Sequence, residues 1–418
     1  MIKLGCIADD FTGATDLANN LVRAGMRVTQ VIGIPAAGTL IDADAVVVSL
    51  KSRTVPAADA IAQSLAALTW LQSNSAEQIY FKYCSTFDST AQGNIGPVTE
   101  ALMRALGTDF TIATPAFPDN GRTVFKGHLF VGDVLLSESG MQNHPLTPMT
   151  DANLVRVLQQ QCKAKVGLIS YQTIAQGAQA IQNRFDALRA DGVTIAIVDA
   201  LSNQDLVTLG LALKNMPLVT AGSGVAIGLP QNFGLSPTNR SSQLPIKQGM
   251  QAIIAGSCSN ASNAQVGHFI DSGLPAFAID PFNLNDGNNP ALAWVERTFE
   301  SMRKGQIKTS PILIYSTATP EAVRNVQSNI GSRSGQLIEQ ALANVAKHCV
   351  HHGAKQLIIA GGETSGACVQ ALRITQLQIG DQIDPGVPWC YANTGLHIAL
   401  KSGNFGTVDF FTKAFAQS

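Results

Sequence analysis

The sequence predicts a two-domain α/β protein in which each domain is a largely parallel sheet flanked by helices. Three observations lead there. Short apolar runs rich in β-branched residues alternate with longer stretches whose apolar residues recur at helical spacing, the rhythm of βαβ crossovers. The chain has 418 residues, 45% hydrophobic and 14% charged, enough apolar mass for two cores and more than one ordinary domain holds. The periodicity also lapses once, over residues 229–249, where Pro, Gly, Ser and Asn accumulate before the rhythm resumes.

Taken in order, strands are expected at 4–8, 28–34, 45–49, 79–83, 110–114, 166–170, 194–199 and 218–221, with helices at 57–71, 174–188 and 206–213. Continuous apolar runs bounded by polar turns mark strands buried on both faces, as in a parallel sheet. Residues 123–130 read as a hairpin turning at Lys126-Gly127. Residues 1–228 form the first expected domain, 229–249 a linker and 250–418 the second. Its strands are expected at 251–255, 276–279, 312–315 and 356–360, and its helices at 260–272, 291–302 and 336–351.

Lys+Arg 28 against Asp+Glu 29 leaves a formal net charge of -1, which provides no global field for a nucleic acid or an anionic membrane. No apolar run approaches the roughly 20 residues of a membrane helix. The opening residues lack the basic start and small-residue cleavage site of a secretory signal, so a cytoplasmic protein is expected. Seven scattered cysteines suit neither a disulfide framework nor a C-x-x-C metal site and read as reduced thiols.

In open α/β sheets ligands sit beyond the carboxyl ends of the strands, which directs attention to the turns there. Ala8-Asp9-Asp10-Phe11-Thr12-Gly13-Ala14 places two carboxylates after the first strand. They suit a substrate hydroxyl or a Mg2+, with Thr12 and nearby amides facing an anion; the alternative is an Asp cap with a solvated neighbour. Leu50-Lys51-Ser52-Arg53 offers two cations suited to a carboxylate, or two solvated ones. Lys82-Tyr83-Cys84-Ser85-Thr86-Phe87-Asp88-Ser89-Thr90 crowds a cation, a carboxylate and hydroxyls into one strand exit, a density that fits a polyhydroxylated acid or a capped turn. After Asn120-Gly121, Arg122 reads as a ligand cation, and the polar loop 138–145 as a cover over substrate.

In the second half, Ala255-Gly256-Ser257-Cys258-Ser259-Asn260, Ala360-Gly361-Gly362-Glu363-Thr364-Ser365-Gly366 and Lys401-Ser402-Gly403-Asn404-Phe405-Gly406 are three glycine- and hydroxyl-rich turns. Together they favour a phosphate cradle and hence a nucleotide. None matches G-x-x-x-x-G-K-[ST], so a P-loop is excluded. Gly222-Ser223-Gly224 reads as a domain-end turn and a hinge. His348, His351 and His352 read as complements to a helix dipole, and no metal site is expected from protein ligands alone.

These motifs carry a resemblance that spans essentially the whole chain. Asp9-Asp10-Phe11-Thr12-Gly13-Ala14, Lys51-Ser52-Arg53, Gly361-Gly362-Glu363-Thr364-Ser365 and Lys401-Ser402-Gly403-Asn404-Phe405-Gly406 resemble the four-carbon acid sugar kinase family. The stretches 81–90, 93–99 and 129–141 resemble its 3-oxo-tetronate kinase branch. D-threonate kinases carry a shorter Lys-Ile-Asp-Ser-Thr-Leu-Arg-Gly-Asn motif, from which residues 82–94 depart.

The resemblance implies an N-terminal acid-sugar-binding domain, a C-terminal nucleotide-binding domain, ATP with Mg2+, and phosphorylation of the terminal C4 hydroxyl. Its motifs place ATP on Ser257 or Ser259, on Gly361, Gly362, Glu363 and Thr364, and on Gly403 or Gly406. The chemistry of the first domain assigns the acid to Asp9, Thr12, Lys51, Arg53, Lys82, Ser85 and Arg122. Asp10 is expected to accept the hydroxyl proton, with Asp88 in reserve. The expected partner is a small four-carbon sugar acid, with neither nucleic acid nor membrane, and a homo-oligomer is allowed. D-threonate or erythronate as substrate, and a non-catalytic sugar-acid or nucleotide sensor that signals by closing, remain the alternatives.

Overall fold

A computed structural model describes residues 2–144, 147–238, 242–284, 289–317 and 334–416, and the chain divides into two compact units, Met1–Ser242 and Gln243–Ser418. The first unit carries eight parallel strands in the order Val28–Ile32, Ala45–Ser49, Leu4–Ala8, Gln78–Lys82, Leu218–Ala221, Thr111–Thr114, Val193–Val198 and Lys165–Ile169. Its central strand, Leu-Gly-Cys-Ile-Ala, is buried throughout, as a strand covered on both faces must be. Helices Phe11–Arg23, Ala57–Ser73, Ile95–Leu106, Ala178–Ala190 and Asn203–Ala212 connect the strands.

Register is what positions the site. Ala8 pairs with Ser49 on one side and with Lys82 on the other, so Asp9, the 50–53 turn and the 83–90 segment leave the sheet side by side. Beyond the sheet, Arg122–Phe125 and His128–Val131 form the expected hairpin, extended by Val134–Leu135. Lys126 and Gly127 turn it with φ of 50° and 73°, as a two-residue hairpin requires.

The lapse in periodicity at 229–249 contains the division between the units at Ser242 and Gln243, and it is packed at both ends. Leu229 is fully buried, and Gln231 and Asn232 in the short helix Pro230–Phe233 donate to the carbonyls of Val207, Gly228 and Gly210. In the second unit the Gln243 carbonyl accepts from Gln378 and His397 bonds the Pro245 carbonyl; Asn239, Arg240 and Ser241 lie outside the described residues. Polar composition removed the periodic signal because side chains here bond backbone carbonyls instead of forming an apolar face.

Gly222-Ser223-Gly224, expected as a domain-end turn and a hinge, is tightly packed. Ser223 is buried and donates to Asp16, its carbonyl accepts from Asn20, and a Cβ on Gly224 would stand 2.2 Å from the Ala116 carbonyl oxygen. Its glycines permit close backbone approach.

The second unit orders its strands as Ala276–Ala278, Ile312–Tyr315, Met250–Ala255, Ala354–Ala360, His397–Lys401, Val387–Ala392 and Gln376–Asp384. The first five are parallel and the last two antiparallel. Helix Phe410–Ala416 places Phe410 and Phe411 in a core with Phe269, Ile358 and Trp389. Among the described residues no helix is long and apolar enough to cross a membrane.

Candidate functional site

At the carboxyl edge of the first sheet, the two adjacent carboxylates do different jobs. Asp10 is the N-cap of helix Phe11–Arg23, accepting from the Gly13 amide at 3.0 Å and from the Thr12 hydroxyl at 2.9 Å. Asp9, 6% exposed, receives both prongs of the Arg53 guanidinium, Nε at 2.8 Å and Nη2 at 2.9 Å, and Nη2 also reaches Asp10 at 2.6 Å. A planar fork meeting a planar carboxylate is the strongest geometry such a pair has. Burial raises the Asp10 carboxyl, but Arg53, Lys82 and the two cap hydrogen bonds outweigh it and hold it below its ordinary range. With Asp9 bonded to Arg53, the reading of this pair as an open Mg2+ site does not fit the donor set.

Lys82 ends the neighbouring strand nearly buried, its ammonium 4.0 Å from Asp10, beyond hydrogen-bond distance. Gly13 makes room for it, since a Cβ there would lie 2.0 Å from Lys82 Nζ and 2.3 Å from Asp10 Oδ1. Asp88 sits 3.8 Å from Arg53 and accepts from Thr86 at 2.6 Å. The residue between them, Phe87, takes φ of 52°, a left-handed conformation for a bulky side chain. Ser85 is buried in the same turn.

Arg122 comes in from the hairpin. Its Nη1 donates to the Asn120 carbonyl, while its buried Nε has no hydrogen-bond partner. Burial pulls this guanidinium down, opposed by the nearby Cys84, Asp16 and Asp88. The structure thus gathers Asp9, Asp10, Thr12, Arg53, Lys82, Ser85, Asp88 and Arg122 at one edge. Lys51 stays exposed although it lies only two positions from Arg53, because the 50–53 segment is a turn beyond the strand end and does not keep strand alternation. In the polar loop, Ser139 caps a short helix over Gly140–Asn143 and Met149 bonds back to Met141; Pro145 lies outside the described residues.

Two residues that the sequence left unassigned complete the cluster. Asn94 donates to the carbonyls of Ser52, Arg53 and Val55 at 2.8, 3.1 and 2.9 Å, fixing the turn that delivers Arg53. Asp16, 3% exposed, accepts from Ser223 and lies within the field of Lys82, Asp10 and Arg122. Burial is the main reason its carboxyl is pushed up to about 6.

In the second unit the three glycine turns converge. Ser259 caps helix Asn260–Asp271 by accepting from the Ser262 amide at 3.1 Å and donates to the Gly403 carbonyl at 2.6 Å. A Cβ on Gly403 would sit 2.4 Å from Ser257 Oγ, and one on Gly256 2.2 Å from Thr364 Oγ1. Gly361 has φ of 122° and leads into helix Gly362–Ala371, whose first turn carries exposed Glu363 and buried Thr364. Gly406 has φ of 86°, and Gln265 holds its carbonyl with those of Phe405 and Thr407.

Beneath these turns lies Lys401, fully buried, its ammonium donating to the carbonyls of Ser402, Gly403 and Phe405 at 3.0–3.1 Å. Burial pulls its pKa down to about 7. Two helix N-termini and clustered amides without side-chain bulk make a surface suited to phosphate oxygens.

Residues 4–229 match the family described as the sugar-binding N-terminal domain and residues 252–411 the nucleotide-binding C-terminal domain. A 3-oxo-tetronate kinase of Pseudomonas fluorescens is 56% identical over 99% of this chain and 96% of its own length. A 3-oxo-tetronate kinase of Haemophilus influenzae is 44% identical over 98% of each. The crystal structure of a protein from Salmonella typhimurium LT2, provisionally described as a tRNA synthase, has a TM-score of 0.88 at 43% identity and covers 99% of both chains.

Proposed function

Because the chain belongs to the family that joins a sugar-binding N-terminal domain to a nucleotide-binding C-terminal domain, we propose that it transfers the γ-phosphoryl group of ATP to the terminal C4 hydroxyl of 3-oxo-tetronate. The product is 3-oxo-tetronate 4-phosphate. The observation that carries this is the similarity to 3-oxo-tetronate kinases, 56% and 44% identical over 99% and 98% of this chain and so through both domains. A balanced charge of -1 supports a small-molecule acceptor over a tRNA. An enzyme that consumes ATP in sugar-acid catabolism works in the cytoplasm.

In this reading Lys82 and the unpartnered Nε of Arg122 receive the substrate carboxylate, with the hydroxyls of Ser85 and Thr12 and exposed Lys51 at the margins. Arg53 is committed to Asp9 and Asp10, so it orders the acids more than it grips the acid substrate. The C4 oxygen bonds to the γ-phosphorus as the β–γ bridging bond breaks, ADP leaves, and the hydroxyl proton passes to Asp10, or to Asp88 if the pose favours it. A base held below its ordinary range suffices, because a loose transition state leaves the hydroxyl proton largely in place until late. The phosphates lie on Ser257, Ser259, Gly361, Gly362, Thr364 and Gly403, with Gly406 shaping the turn. Mg2+ bound with the nucleotide would neutralise phosphate charge, and Glu363, an exposed carboxylate at that turn, would be the residue to meet it. Ground-state contacts would matter less than alignment of donor and acceptor.

Coupled ADP release across a panel of four-carbon acids tests the assignment. The highest kcat/KM is expected with 3-oxo-tetronate. Preference for D-threonate or an erythronate would overturn the acceptor, and absence of acid-dependent ADP release would overturn the kinase.

A further inference from the structure

Away from the glycine turns, the second unit brings two imidazoles and a carboxylate together on neighbouring helices. His348 and His352 are four residues apart at the end of helix Ser334–His351, which places them on one face. Their ring centroids are 4.3 Å apart. Glu296 projects from helix Pro290–Arg303, and one ligand atom from each of the three residues lies within 4.8 Å of the others. Burial of Val295 and Phe299 beside Glu296, and of Val345 and Cys349 beside His348, locks both helices behind the cluster. A further bond from Arg303 to the His352 carbonyl at 2.9 Å ties the helix ends together.

The helix dipole accounts for histidines in a last turn, but not for two other features. The Nε2 of His348 is buried without any hydrogen-bond partner. A buried polar nitrogen left in that state is costly unless something else fills its lone pair. And the neighbouring helix supplies a carboxylate at the same point. A buried imidazole nitrogen without a partner, in a residue that lies beside an acid and a second imidazole, offers a donor set that a transition metal takes.

We propose that Glu296, His348 and His352 form a binding site for a divalent transition-metal ion, Zn2+ by the chemistry of its two nitrogens and one carboxylate oxygen, which clasps helix Pro290–Arg303 to helix Ser334–His351. Zn–N bonds of roughly 2.0–2.1 Å require ligand atoms about 3.4 Å apart, which side-chain rotation supplies from the observed spacing. Three protein ligands leave one position for water, and the role is structural.

The test uses the full-length chain after chelator treatment, titrated with Zn2+ alone by calorimetry and with Co2+ by absorption. One saturable site is expected, with a rise in Tm on Zn2+ addition and Co2+ bands lacking thiolate charge transfer. His352→Ala and Glu296→Gln should each weaken that site at least tenfold and abolish the Tm rise. Because both variants keep His348 and the helix packing, a folding defect is separable by their metal-free Tm. Absence of saturable binding, affinity unchanged in both variants, or a thiolate band assigning the ion to cysteine would each overturn the proposal.

Discussion

Replacing Arg53 with Met keeps side-chain length and removes the charge that satisfies both acids. Three charge-assisted hydrogen bonds at 2.6–2.9 Å are lost, and Asp9, whose side chain is 8% exposed, is left buried without its partner. Breaking one side of a buried pair costs about 3–5 kcal/mol. At roughly 2–4 °C per kcal/mol for a unit of this size, the melting transition of the first unit should fall by roughly 6–20 °C at pH 7.

The sign of the pH dependence follows from Asp10. Its folded pKa is depressed, so the stabilisation it contributes is present above its ordinary value of 3.8 and is lost as pH falls through the folded pKa. In the variant Asp10 loses the Arg53 charge and keeps only Lys82 and its cap hydrogen bonds to hold its carboxyl down, so it protonates more readily and the deficit should shrink as pH is lowered toward 4. Differential scanning calorimetry of both proteins at pH 7 and near pH 4 measures this. A shift below about 2 °C at pH 7, or the same shift at both pH values, would refute the pairing as the cluster's organising contact.

Other perturbations follow from the same geometry. Gly13→Ala should retain its helix yet lower kcat/KM by about 100-fold, because the added Cβ displaces Lys82 and the Asp10 carboxylate; unchanged steady-state kinetics would contradict the placement of Lys82. Asn94→Ala removes three bonds to the turn that carries Arg53 and should cost about 1–3 kcal/mol by thermal unfolding, with a fall in kcat exceeding that in nucleotide affinity. Asp16 binds its proton more tightly folded than unfolded, so wild-type stability should decline by on the order of 3 kcal/mol as pH rises from about 4 to 6. Asp16→Asn should flatten that part of the Tm profile, and parallel profiles would contradict the raised carboxyl. Gly403→Ala, with its Cβ against Ser257 Oγ, should raise the KM for ATP at least tenfold while leaving acid binding measured by calorimetry unaltered.

Parallel strands were the most legible part of the fold. A run such as Ala45–Ser49 is apolar because both its faces are covered, and its bounds coincide with those read from composition. The closing antiparallel pair Gln376–Asp384 and Val387–Ala392 gave no such signal, since Gln376, Gln378 and Gln382 interrupt the apolar residues and Gly380 packs under Leu244.

At the site, charge density at strand exits marked Asp9, Asp10, Arg53 and Lys82, because parallel register forces neighbouring exits together. Asn94 escaped notice because its partners lie 39–42 residues away and are backbone carbonyls, which leave no trace in side-chain pattern. Lys401 read as a polar turn residue although it is fully buried; nothing local distinguishes a lysine that caps carbonyls from one in solvent. Asp10 shows why weighing a cap against a functional acid was undecidable in sequence, since one carboxylate is the cap and also meets Arg53.

The most direct measurement is a crystal structure of the full chain with a non-hydrolysable ATP analogue and 3-oxo-tetronate. The account predicts phosphates on the amides and hydroxyls of Ser257, Ser259, Gly361, Thr364 and Gly403, and the acid's carboxylate on Lys82 and Arg122. Nucleotide phosphates lying against Asp9 and Asp10, or an acid bound without contact to Lys82 or Arg122, would contradict it.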